Sequence, residues 1–170
     1  ASEEKAKEIT DKPIWITGTA TSTYCINCSD ASTFGRLLGT NIAAKRAYEI
    51  AGIKNPLEEL DLIEVHDCVK RYYERFCEEL GLCELGEGGR LVDEGIVDKN
   101  GQLPSNPSGG RIACGHVAGV SAAYSMCQIV GQLREEAGGT QVKIQSGRGL
   151  VQCNDGNAAN SSVVILERER

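Results

Sequence analysis

The sequence is short of several things at once. Its 170 residues hold two histidines, one tryptophan, one methionine, two phenylalanines and four prolines. With aromatics at 5% and 20 glycines, the expected interior is packed from small aliphatic side chains between tight turns, the composition of an α/β protein. No apolar run approaches the roughly 20 residues that a spanning helix needs, so no membrane partner is expected. Nor is there a basic surplus: 18 Lys and Arg against 24 Asp and Glu leave a net charge of −6, with the cations scattered. Such a chain offers no track for a phosphate backbone, and nucleic acid is set aside as a partner. The opening Ala1-Ser2-Glu3-Glu4-Lys5 is neither a signal peptide nor an anchor, and a cytoplasmic location is expected. With no capping residue before Ala1, the start resembles a cut end.

Against these shortages stand eight cysteines, at 25, 28, 68, 77, 83, 114, 127 and 153. A disulfide scaffold belongs to small, loop-rich secreted chains, whereas a 170-residue domain buries roughly 68–70% of its unfolded surface without staples. Reduced thiols are therefore expected, those at 77, 83, 114 and 127 as small core side chains. Cys25-Ile26-Asn27-Cys28 has the spacing of a zinc or redox pair, but no second pair accompanies it, and no metal is expected.

Periodicity predicts one domain over residues 1–170. A short charged helix over 2–10 is followed by a strand over 14–20, a long polar connection, and a helix over 41–51 ending at Gly52. A strand over 61–67 then presents His66, and a helix runs over 69–80. Loops with one small hairpin are expected over 84–110. A long helix over 116–137, rich in small residues, reads as buried between layers. Strands are expected over 141–145 and 162–166, with a Gly- and Asn-rich turn holding Cys153 between them. This order argues for a mixed β-sheet with helices on its faces.

Both histidines fall where a strand or loop gives way to a helix, the place where α/β proteins set ligand groups. There a ring nitrogen can donate to developing negative charge or draw a proton from a thiol. Cys68, at the start of a helix beside His66, and Cys153, off the regular elements, are the candidate reactive thiols. Asn106-Pro107-Ser108-Gly109-Gly110 lacks the Lys-Ser/Thr of a P-loop, so nucleotide binding is rejected.

Taken together, these segments resemble the thiolase superfamily, in its sterol-carrier-protein-2 and archaeal branch. Asn106-Pro107-Ser108-Gly109-Gly110 followed by Gly115-His116 is similar to the family's N-P-S-G-G…G-H-P segment. Glu64-Val65-His66-Asp67-Cys68 resembles its H-D-C-F block, and residues 81–97 resemble the glycine-rich link between the two. The resemblance implies a thiolase-like C-terminal half of α/β fold, a mixed β-sheet with helices on both faces. It implies chemistry on coenzyme A or acyl-CoA: forming or cleaving a C–C bond, or, in some relatives, retro-aldol cleavage. His116 would activate a nucleophilic cysteine and help hold a thioester oxyanion; His66 would complete that oxyanion hole. Cys68 matches the acid/base cysteine of the H-D-C-F subgroup, and Cys153 falls near that of the C-x-G motif. The nucleophile would lie on an N-terminal thiolase half, in the same gene or a split subunit, and the assembly would be a homo-oligomer or hetero-oligomer. The sequence departs from the pattern at Val69, Val117 and Asp155. These departures leave a non-catalytic, partner-binding member of the fold as the alternative.

Overall fold

The structure is a computed structural model that describes residues 1–24, 35–155 and 159–168. The Cys25/Cys28 pair lies outside the described residues. The chain opens on helix α1 (Glu3–Ile9), where Ser2 caps the first turn by accepting the Lys5 N–H. The cap missing before Ala1 is therefore supplied one residue later. Strand β1 (Trp15–Thr23) leads to α2 (Leu38–Ala51), the short α3 (Pro56–Glu59), and β2 (Leu62–Glu64). Then come α4 (Lys70–Glu79), α5 (Gly88–Asp93), α6 (Gly110–Cys114) and α7 (Ser121–Leu133). A 3-10 turn (Gly138–Thr140) precedes β3 (Arg148–Asn154) and β4 (Asn160–Glu167).

The four strands form one mixed sheet in the order β1-β4-β3-β2, antiparallel except for the parallel β2–β3 pair. Side chains of successive residues point to opposite faces of a strand, and here both faces are buried. Ile63, Leu150, Val163 and Ile165 join the core shared with α2 and α4, with Ala43, Ala47, Phe76 and Leu80. Leu62, Val151, Val164 and Leu166 pack instead with Ile129 and Leu133 of α7. Helices thus cover both faces, as the resemblance implied. Each buried aliphatic side chain contributes roughly 1.5–3 kcal/mol, so these two clusters outweigh any surface ion pair.

Several expectations fail. The expected hairpin in 84–110 is instead α5 and a stretch that runs beside β2: Ile63 N–H donates to Pro104 O, and Asn106 N–H to Ile63 O. That segment covers the sheet edge. The helix expected from His116 begins only at Ser121, because Gly119 sits at φ +77, which interrupts any helix upstream. Nor is α7 buried all round; Ser121, Ser125, Ile129, Gln132 and Leu133 form a single inward face. Residues 141–145 alternate like a strand yet join no sheet, since the Gln132 side chain accepts the Val142 N–H that a ladder would have used. The strand lies instead over Arg148–Asn154, and Cys153 is therefore near a strand end rather than in a turn. Of the four cysteines expected in the core, Cys77 is buried and Cys83 half-buried, whereas Cys114 and Cys127 are exposed.

Candidate active site

His66 follows β2 by two residues and is buried; its backbone N–H donates to Gln152 Oε1 at 3.1 Å. Gln152 is itself buried in β3 and donates on to Ser161 Oγ at 3.1 Å. A polar side chain in the middle of the sheet thereby anchors the segment that carries the histidine. His116 comes from the exposed loop between α6 and α7. The two rings meet edge to face, with centroids 4.8 Å apart and planes at 88°. Cys153 Sγ lies 3.6 Å from His66 Nδ1. One ligating atom each from His66, Cys68 and His116 falls within 4.8 Å of the others. The fold thus gathers His66, Cys68 and His116 together and sets Cys153 against His66, drawing the four candidate residues from three separate stretches of chain.

The segment 64–67 and the loop 106–111 are fastened residue by residue. Asn106 acts as a surrogate strand: its Oδ1 accepts the Val65 N–H at 2.7 Å, and its Nδ2 donates to Val65 O at 3.2 Å. Ser108 donates from both N and Oγ to the buried Glu64 carboxyl, at 3.2 and 2.9 Å. Asp67 Oδ1 accepts the Arg111 N–H at 2.5 Å, at the start of α6. Gly110, at φ +63, lets the backbone lie directly against that carboxylate, in space that a Cβ would occupy. Arg111 is buried, lies over the Tyr124 ring at 4.7 Å, and donates to Ser121 O and Ser125 Oγ. These contacts tie α6 to α7 on either side of the His116 loop. They explain why the Asn-Pro-Ser-Gly-Gly run takes these residues without any phosphate to bind.

Charge states follow from burial. His66 is held below its ordinary value of 6.5, chiefly by burial and then by the positive charge of His116 and Arg111, with Asp67 opposing. It is a neutral imidazole at pH 7. Burial pushes the Cys153 thiol up, and burial together with Asp67 does the same for Cys68, so both remain protonated thiols near neutrality. Burial likewise raises Glu64, which its two bonds from Ser108 partly offset. With His66 neutral and the Cys68 and Cys153 thiols protonated, the site is suited to donating hydrogen bonds and protons, not to nucleophilic attack by its own cysteines.

A family model described as thiolase C-terminal domain-like matches residues 18–168. The chain belongs to that family. It is 37% identical over 140 residues to an acetyl-CoA acetyltransferase of Methanothermobacter thermautotrophicus, covering 82% of this chain and 36% of that protein. With the acetyl-CoA acetyltransferase of Methanocaldococcus jannaschii it shares 32% identity over 173 residues, covering 98% and 44%. Rabbit (Oryctolagus cuniculus) sterol carrier protein 2 is 40% identical over 113 residues, or 64% of this chain. Among solved structures, an Ltp2-ChsH2(DUF35) aldolase superposes over 99% of this chain and 43% of its own, with a TM-score of 0.80 at 21% identity. A monomeric SCP2-thiolase-like protein of Mycobacterium smegmatis gives 0.68 at 20% identity, over 99% and 33%. Those two likenesses establish the shared fold. The chain spans less than half the length of each of these relatives.

Among the described residues, no helix is long and apolar enough to cross a membrane. Asp67, Asn106, Ser108, Arg111 and Gln152 carry contacts that reading the sequence did not assign. A usable signal existed for one of them: Gln152 follows Leu150 and Val151 in what is a strand, where a polar residue with no solvent needs a partner.

Proposed function

We propose that this domain supplies the oxyanion-binding and proton-transferring part of an active site that forms or breaks a C–C bond beside a coenzyme A thioester. The attacking cysteine comes from an N-terminal thiolase half, on the same polypeptide or a companion subunit. The observation that carries this reading is the meeting of His66 and His116, edge to face at 4.8 Å, with Cys153 against one and Cys68 beside both. In cleavage, the nucleophilic thiol gives its proton to His116 and its sulfur bonds to the ketone carbon. The C–C bond breaks, and its electron pair passes to the thioester carbonyl as an enolate. Imidazole N–H groups of His66 and His116 hold that oxygen, and the Cys68 or Cys153 thiol protonates the carbon. The thiol of coenzyme A then gives its proton to that cysteine thiolate and attacks the acyl-enzyme carbonyl, and the displaced nucleophilic sulfur takes back the proton held on His116. Condensation is the reverse.

A companion half also suits the surface around the site. Val69, Ile112, Val117 and Val120 are each about half or more exposed, and they flank the exposed Cys68 and His116. An apolar rim around catalytic groups fits a surface that another domain covers and dries. A second reading, retro-aldol cleavage, draws on Asp155, a carboxylate where the resembling C-x-G motif has glycine. That route needs the same oxyanion hole and no nucleophilic cysteine.

The two routes and the non-catalytic alternative separate in one experiment. The 170-residue chain is assayed alone and together with its N-terminal half, for acyl-CoA condensation, thiolysis and retro-aldol cleavage. No turnover is expected alone, and turnover by the assembly. Condensation by the isolated chain contradicts the reading, and inactivity of a folded, assembled enzyme towards every acyl-CoA tested moves the domain to a structural role.

A further inference from the structure

The residues gathered at this site are also good ligands for a borderline metal ion. The geometry points to a binding site for a divalent transition metal, zinc above all, formed by His66, Cys68 and His116 with Cys153 as the fourth side chain. The sequence alone argues against a metal, because no second C-x-x-C or H-x-x-x-H accompanies Cys25/Cys28. The fold instead gathers ligands from three separate segments.

Two of the four are already placed. Cys153 Sγ and His66 Nδ1 stand 3.6 Å apart, and bonds of about 2.0–2.3 Å at tetrahedral angles put two zinc ligands roughly 3.3–3.8 Å apart. Both sit on rigid ground: Cys153 in β3, and His66 beside β2, with its backbone bonded to Gln152 of β3. Cys68 and His116, both exposed, each offer a ligating atom within 4.8 Å of one on His66 and of one another, so His66 is shared between the two halves of the set and the exposed side chains are free to swing in on an ion. Nitrogen and sulfur ligands select zinc and its transition-metal neighbours over magnesium or calcium, which want oxygen. Binding releases the thiol protons of Cys68 and Cys153 to solvent. The metal site does not depend on the proposed catalysis. Its consequence does: an ion here takes the ring nitrogens that a thioester oxygen needs, so zinc would inhibit.

The test titrates the reduced, metal-free protein with cobalt(II), followed by zinc(II). Expected is a tetrahedral cobalt spectrum with a thiolate-to-cobalt band, lost on adding one equivalent of zinc. Cys68→Ser and His116→Ala each weaken zinc binding by more than the roughly 10–100-fold that losing an outer-shell partner costs, while the paired C25S/C28S variant leaves it unchanged. Because Cys68 and His116 are exposed, both variants are expected to fold, which a thermal melt checks. A band that survives Cys68→Ser and His116→Ala but vanishes in C25S/C28S overturns the proposal, as does the absence of any thiolate band. If zinc binds with the expected dependence and turnover of the assembled enzyme is unaffected, the metal site stands and the catalytic reading falls.

Discussion

If the proposed reaction holds, His116→Ala is expected to lower kcat of the assembled protein by about 10³-fold while its melting temperature stays within a degree or two. Removing a single oxyanion-hole donor costs about 10²–10³-fold in a serine protease, and in the proposed reaction His116 takes the nucleophile's proton as well. Because its side chain is exposed, little packing is lost. His66 makes the informative contrast. It is buried, so His66→Ala mixes lost chemistry with lost stability, whereas His66→Asn keeps an N–H donor and should retain more activity than His66→Ala. The pH profile carries the same signature. Burial and its positive neighbours keep His66 neutral below its ordinary 6.5, so the acid limb that it governs lies under that value. Between the lowered folded value and 6.5 the unfolded chain binds more protons, so stability from this group is complete above 6.5 and is lost as pH falls through the folded value. Cys68 and Cys153 keep their protons beyond the ordinary thiol value of 9.0, so loss of the proton donor appears only on the alkaline side of it.

Gly110→Ala is expected to destabilise the domain by about 3 kcal/mol and to cripple the site at a distance. A left-handed backbone at φ +63 costs a residue with a Cβ roughly 1–2 kcal/mol by itself. The new methyl group would also overlap the Asp67 carboxylate, which accepts the Arg111 N–H. For a domain of this size, about 3 kcal/mol corresponds to a fall in Tm of about 6–12 °C. A double-mutant cycle separates the two costs. With Asp67→Ala in place the overlap is gone, so Gly110→Ala should cost less than in the parent, with a coupling of roughly 1–3 kcal/mol. Strict additivity would show that Asp67 and Gly110 do not press on one another. Activity is expected to fall further than stability explains, because the 106–111 loop leads directly into the segment that carries His116.

Much of this architecture is legible in the sequence, and the parts that are not share a cause. β1, α2, α4 and β4 have clean periods and clear boundaries, so local pattern and tertiary outcome agree. β3 does not: Gly149 and the polar run Gln152-Cys153-Asn154 hide a central strand that is buried on both faces. The stretch 141–145 looks like a strand and is none, because the Gln132 side chain outcompetes a neighbouring ladder for its backbone. At the site, the junction logic marked His66 and His116, and the fold places their rings in contact. The polar run around Cys153 reads as a turn, yet the residue lies near a strand end, close to His66 all the same. What could not be read were the bridges. Asn106 to Val65, Ser108 to Glu64, Asp67 to Arg111 and Gln152 to His66 each join residues about 40 to 90 positions apart, and no local period encodes such pairs.

The central claim is that one thioester oxygen is held between two histidines. The most direct measurement is a structure of the assembled enzyme with a non-hydrolysable acyl-CoA analogue bound. The account predicts the analogue's carbonyl oxygen within about 2.7–3.1 Å of a ring nitrogen of both His66 and His116, with the adjacent carbon facing the Cys68 or Cys153 sulfur. An acyl-CoA whose oxygen is held by backbone amides elsewhere, with His66 and His116 touching only each other, would contradict it.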